Sequence, residues 1–292
     1  MMRFALGVLI FLQALVLALS GLANSSARQQ SDQSPYFSLN ELASATAQVI
    51  EQDSKDSRVL VLDFSEKMPT QVGLRFAEGI SALLGGMAQK FTVISRSDLP
   101  QLFDRDRIPA TELKNHEALS CYGRELGADL IVEGDIDASS DRVQLYSDVR
   151  RLRDLKKLAD ESASVPVTPE IKAMLMTPRT FSAISLDEYR TRIGIPQANQ
   201  GGYSNAKCAT CPPPSFPDPA IKSRADAVLE VAVEWDVDGE ATKSTILQGA
   251  PCGFNQRALK AIEDWRVTPA DGPDGKRAAV WTPVEMTFRL FF

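Results

Sequence analysis

The 292-residue chain carries 44% hydrophobic residues and a net charge of −6. That composition fits a globular protein of about two domains, and the acidic balance excludes a nucleic-acid binder that relies on a basic face. A single histidine, His116, excludes sites that need several imidazoles and thins out Ser-His-Asp, Cys-His and His-ligated zinc chemistry.

In chain order, Met1-Met2-Arg3 and the apolar run Phe4 to Leu19 form an export leader. Small residues at Gly21 and Ala23 mark a cleavage site, so residues 1–23 are expected to be a cleaved signal peptide, or an inner-membrane signal anchor if retained. No cysteine near the site supports a lipid anchor. Leu39 to Glu51 reads as a helix of small and apolar residues. Arg58 to Phe64 is a continuous apolar run of strand length, the pattern of a strand covered on both faces. Pro69 precedes an amphipathic helix with Leu74, Phe76, Ile80, Leu83, Leu84 and Met87 at three- and four-residue steps. Phe91 to Ile94 is a second short strand. Ser97 or Asp98 caps the next helix, with Pro100 in its first turn. Glu112 to Leu126 is helical and stops at Gly127, and Ala128 to Gly134 is a third strand. Alternation of strands and helices predicts an α/β layer with a partly parallel sheet.

The pattern then changes. Arg142 to Arg150 and Leu158 to Val165 alternate as half-buried antiparallel strands, joined through Asp154 to Lys157 as a hairpin. Thr168-Pro169-Glu170 opens a short helix. Residues 177–207 have linker composition, most clearly in Ile195 to Gly202. Beyond them Ala227 to Val237, the turn Asp238-Gly239 and Glu240 to Leu247 form a hairpin. Asn255 to Trp265 is a helix with Ala258, Ile262 and Trp265 on one face, and Val280 to Phe292 returns to β character. The expected fold class is a two-domain α/β and α+β chain, with a mixed layered domain over 38–176 and a small β-β-α-β domain over 208–292.

Four cysteines, Cys121, Cys208, Cys211 and Cys252, in an exported chain predict disulfides, and three pairings are open. One zinc held by all four is an alternative carrying half of the usual double Cys-x-x-Cys signature. A redox-active Cys208-Ala-Thr-Cys211 is another, set against the extended Pro212-Pro213-Pro214 that follows where a redox pair opens a helix. Asp63, Asp135 and Asp137 stand at strand ends where α/β sites often lie, but their expected role is to face water at those ends. No phosphate loop or nucleophile elbow is present. Arg150, Arg151, Arg153, Lys156 and Lys157 form a basic cluster, read as the solvated end of the hairpin. No catalytic residue, metal or cofactor is predicted.

The C-terminal motifs carry a family resemblance. Phe216-Pro217 with Ala220 three positions after the proline, Val231-x-Val233, Asp238-Gly239, Ala258 and Trp265-Arg-Val-Thr-Pro269 stand in the order found in the TonB C-terminal domain. The segment Cys208 to Phe292 resembles that family. Ala227 stands where the family often has Gly, and Val267 where it usually has an aromatic. Val59 to Phe64, Phe91 to Arg96 and Leu126 to Gly134 resemble the envelope modules CsgG and FlgO and the N-terminal domain of TolB. The TonB resemblance implies a non-enzymatic periplasmic protein in transmembrane transport. Its partners would be envelope proteins, outer-membrane transporters above all, bound by β-strand addition. The implied edge is the last strand, with Val280, Thr282, Val284, Met286, Phe288 and Leu290 as the partner-binding residues. Two alternatives stand beside this reading: an inner-membrane-anchored energy transducer, and a structural component of an envelope assembly.

Overall fold

The computed structural model of the protein describes residues 35–53 and 56–290. The expected leader lies outside the described residues. Helix α1 (Pro35–Asp53) leads into β1 (Ser57–Val61), β2 (Ser65–Glu66), α2 (Gln71–Met87), β3 (Phe91–Val93), α3 (Leu99–Asp106) and, past a 3-10 turn, α4 (His116–Glu125). Strands β4 (Leu130–Ala138), β5 (Arg142–Arg151) and β6 (Lys156–Pro166) follow, then α5 (Pro169–Leu175). One sheet results, ordered β3-β1-β4-β5-β6, with β2 beside β4. Strands β3, β1 and β4 are parallel, while β4, β5 and β6 run antiparallel.

The apolar run of β1 is continuous because both of its faces are covered. Val59 and Val61 pack with Ile50, Phe76, Ile80 and Leu84 from α1 and α2. Leu60 and Leu62 point the other way, against Leu99, Phe103, Leu119 and Tyr122 from α3 and α4. β5 alternates instead: Val143, Leu145 and Val149 are buried and Tyr146 is exposed. Helix α2 begins where Thr70 Oγ1 accepts from Val72 N–H, and α5 where Thr168 Oγ1 accepts from Ile171 N–H.

The segment of linker composition is packed. Its helix α6 (Leu186–Arg192), capped by Ser185, lies on the C-terminal sheet, where Tyr189 stacks edge-on against Trp281 with centroids 5.1 Å apart. Ile184, Leu186 and Ile193 join that contact with Ala232 and Leu247. Two further short elements, β7 (Cys208–Thr210) and α7 (Asp218–Ser223), precede the second sheet. That sheet holds β8 (Ala227–Trp235) at its centre, β9 (Ala241–Gln248) on one side and, beyond α8 (Phe254–Glu263), β13 (Val280–Phe288) on the other. Short pairs complete the domain: β10 (Arg266–Val267) with β7, and β11 (Ala270–Asp271) with β12 (Arg277–Ala278). The hairpin turn needs Gly239 at φ 83°, where an added Cβ would also meet Val267 O at 2.0 Å.

The two sheets share structure at their junction. Ala118 and Cys121 of α4 lie in the same apolar cluster as Leu229, Val231, Phe254 and Phe288. Asn255 is buried there, accepting from Ala250 N–H (3.0 Å) and donating to Asp106 O (2.9 Å). Asn115 donates to Asp226 O at 2.9 Å. Gly249 N–H donates to Arg107 O, and a Cβ at Gly249 would stand 2.1 Å from Asp106 O.

Candidate functional site

The four cysteines form two disulfides, Cys121–Cys252 and Cys208–Cys211. Zinc ligation by all four is therefore ruled out in this state, and no group of three or more metal-ligating side chains occurs among the described residues. Cys121 and Cys252 are buried and join α4 to the turn before α8. Cys208 and Cys211 are more exposed, at the β7 edge.

The acidic residues at the strand ends do not converge. Asp63 is buried between the guanidinium groups of Arg96 and Arg179. The cavity beside it, about 230 Å³, is lined by Phe103, Phe181 and Leu74 but by neither Asp135 nor Asp137. Asp135 accepts from Ser65 Oγ and faces His116 Nε2 at 3.8 Å. His116 Nδ1 stands 3.4 Å from the buried Glu133. Burial pushes this imidazole's pKa down, but Glu133, with Asp135 and Glu117, outweighs burial and holds it above the ordinary value. Much of the basic cluster is spent on ion pairs: Arg150 with Glu133 (2.6 Å), Arg151 with Asp53 (2.6 Å) and Lys157 with Asp148 (2.7 Å).

Strand β13 offers a different kind of site. Among the described strands it pairs only with β8, in continuous register from Val280↔Trp235 to Phe288↔Ala227. Its first turn of outward hydrogen bonding is used within the chain: Trp281 N–H donates to Pro196 O, and Ala198 N–H donates to Trp281 O. Because backbone polarity alternates along an antiparallel strand, the groups of Pro283, Glu285 and Thr287 also point outward, away from β8. No hydrogen bond to them comes from the described residues. Pro283 fits this parity, since its missing N–H falls on the open side.

The residues read from the sequence as the binding edge are the alternate set. Val280, Met286 and Phe288 are buried in the core against α8, and Val284 packs on that core. Thr282 Oγ1 accepts from Trp235 Nε1 at 2.7 Å, and Leu290 N–H donates to Asp226. Their backbone groups face β8, so they set the strand's position, while Pro283, Glu285 and Thr287 present its open edge. The signal was in the sequence: a proline inside a strand fixes which residues face outward.

The other motif residues assemble around the core. Phe216 meets Phe254 and Phe288 edge-on, at 5.5 and 5.9 Å. Pro217 caps α7, and Ala220 and Ala258 are fully buried. Trp265 Nε1 donates to Pro212 O at 2.8 Å, and Pro269 lies against Gly239. Aromatic stacking, small helix residues and a positive-φ glycine thus close one small sheet under one helix. Residues 212–290 match the family of the Gram-negative bacterial TonB protein C-terminal. The C-terminal domain is TonB-like.

Solved structures similar to the chain include the C-terminal domain of LpoB from Salmonella enterica. It has 14% identity and a TM-score of 0.37, covering 44% of this chain and 94% of that one. The TonB C-terminal domain from Pseudomonas aeruginosa has 18% identity and a TM-score of 0.27, over 34% of this chain and 98% of that one. The lipoprotein GNA1162 from Neisseria meningitidis has 16% identity and a TM-score of 0.32, over 41% and 90%. No curated protein matches the sequence. The TonB-like domain is joined to the layered α/β sheet through α7, where Ser223 Oγ accepts from Arg124 Nε of α4 (3.2 Å), and through the Cys121–Cys252 bond. No helix among the described residues is long and apolar enough to cross a membrane.

Proposed function

We propose that this chain is a non-enzymatic periplasmic protein whose TonB-like domain binds envelope partners, outer-membrane transporters in particular, by taking a partner strand onto the open edge of β13. The observation that carries the reading is the row of outward backbone groups at Pro283, Glu285 and Thr287, which no described residue pairs. An edge of this kind is a template for β-augmentation, with main-chain hydrogen bonds supplying affinity. The stretch is about five residues, or roughly 17 Å at strand rise, and it begins where the Pro196–Ala198 segment stops covering Trp281. The adaptor reading is favoured over the energy transducer because a folded α/β sheet, disulfide-bonded to the TonB-like domain, stands where a transducer carries an extended spacer.

Thr287→Pro tests it. The change removes an outward N–H and leaves the pairing with β8 intact, so the circular dichroism of the folded chain should be unchanged. Binding of extended peptides from the periplasmic side of outer-membrane transporters should weaken about tenfold, the upper end of one hydrogen bond. Wild-type and T287P chains that bind alike would overturn strand addition at β13. Mass spectrometry of the mature N-terminus tests the location: a start at or shortly after Asn24 supports a periplasmic protein, and an intact Met1 in the inner-membrane fraction supports the transducer.

A further inference from the structure

The face of the open edge indicates what chemistry it accepts. Odd-numbered side chains of β13 project from the side of the sheet opposite α8. There Glu285 lies directly across from Glu230 of β8, and like charges in that relation destabilise a strand pair. Among the described residues neither has a cation: Glu230 accepts from the neutral Gln248 amide, at 2.9 Å, and the exposed Glu285 has no ion pair. Other carboxylates of this hairpin do have one, Glu234 with Lys243 (3.0 Å) and Glu240 with Arg266 (3.2 Å). Arg289 is on the same face but four residues along, about 14 Å away at strand rise. The edge therefore sets two uncompensated carboxylates beside its open hydrogen-bonding groups. On the other face, next to the same edge, Val284 and Met286 are apolar and at least partly buried.

A strand added to β13 places the residue opposite Glu285 on the acidic face, with Cβ atoms about 5 Å apart. Its two neighbours fall on the apolar face, beside Val284 and Met286. Resting on the strand-addition reading, we propose that the partner segment is an extended peptide with Lys or Arg opposite Glu285 and apolar residues on both sides of it. The basic side chain pairs with Glu285, its aliphatic stem lying along the sheet toward Glu230. It relieves a repulsion that the free domain carries, so Glu285 selects the partner while the backbone holds it.

The probes are three capped seven-residue peptides in which valine alternates with threonine around a central lysine, glutamine or glutamate. Titrated calorimetrically into the full chain, they should bind in the order lysine, glutamine, glutamate, with about a threefold step for each change of charge. Added salt should compress the series. Glu285→Lys should invert the order. The same variant should melt no lower than wild type, because it exchanges a like-charge pair for an opposite-charge pair with Glu230. Equal affinities for the three peptides in wild type and E285K would overturn the charge selection and leave strand addition standing. Absence of binding by all three would overturn strand addition itself. A preference for glutamate in the wild type would reverse the proposed partner chemistry.

Discussion

The Cys121–Cys252 bond makes the sharpest demand on stability. It closes a loop of 131 residues between α4 of the first sheet and the turn before α8 of the second. Restricting that loop in the unfolded chain removes about 17 cal/mol/K of entropy, or about 5 kcal/mol at 25 °C. Both sulfurs are buried, so the bond should resist mild reductant in the folded state. The perturbation is Cys121→Ala with Cys252→Ala. Two probes separate the domains. All three tryptophans, Trp235, Trp265 and Trp281, lie in the second sheet and its flanks, so their fluorescence reports the TonB-like domain, while far-ultraviolet circular dichroism reports the whole chain. In denaturant the wild type should give coincident transitions. In the double variant the unfolding free energy should fall by several kcal/mol, up to about 5, and the two midpoints should separate. A loss below about 1 kcal/mol with coincident midpoints would refute the idea that this bond couples the domains. The Cys208–Cys211 bond spans a separation of three and leaves little chain entropy to remove. By the same relation its removal should cost no more than about 1.6 kcal/mol, and it should be reduced first.

Two more predictions concern particular side chains. His116 is held above its ordinary pKa by Glu133, Asp135 and Glu117 against the opposing effect of burial. Its stabilising contribution is therefore complete below about pH 6.5, the unfolded value, and is lost as pH rises through the folded value. Denaturant midpoints at pH 6 and pH 8.5 should show that loss, and His116→Gln should abolish the difference. A folded-state value below 6.5 by NMR titration would reverse the sign. Trp281 is fully buried against Tyr189, and its Nε1 has no hydrogen-bond partner among the described residues. Trp281→Ala should cost about 3–5 kcal/mol and release α6. Trp281→Phe should cost much less, because it keeps an aromatic ring against Tyr189 and removes an unpaired buried donor. Similar melts for the two variants would show that α6 is held elsewhere.

What could be read in the sequence followed from local physics. The run Arg58 to Phe64 had to be covered twice, and it is. The alternation of Arg142 to Arg150 had to make a half-buried strand, and it does. Asp238-Gly239 specified its turn through a positive φ. The missing pieces depend on contacts distant in sequence. Leu186–Arg192 has charges on most of its surface and shows its apolar side only through Leu186 and Tyr189, which find Trp281 about ninety residues later. The family resemblance pointed to the last strand and named Val280, Met286 and Phe288 among its edge residues; these hold the strand in the core, while which backbone groups face outward is set by strand parity. Cysteine pairing was beyond reach because Cys121 and Cys252 meet only once two sheets have docked.

That docking bears on how the edge works. Asn115 and Glu112 of the first sheet's flank stand in one groove with Val228, Thr287 and Arg289, at the far end of β13. Burial raises the pKa of Glu112 from its ordinary value, against the lowering effect of its hydrogen bond from Asn115. At the near end the Pro196–Ala198 segment already occupies the edge at Trp281. An added strand is thus bounded on both sides by parts of the chain outside the β-β-α-β unit. A free TonB-like sheet would let a peptide slide by two residues without changing which face its side chains meet. If a strand adds to β13 as proposed, the Pro196–Ala198 segment at Trp281 would stop slippage in one direction and the Glu112–Asn115 flank would narrow it in the other, which would keep a basic residue in register with Glu285. Cys121 lies on α4, which follows that flank, so the disulfide ties the flank to the second sheet through Cys252, and on the strand-addition proposal breaking it should loosen peptide register before it unfolds either sheet.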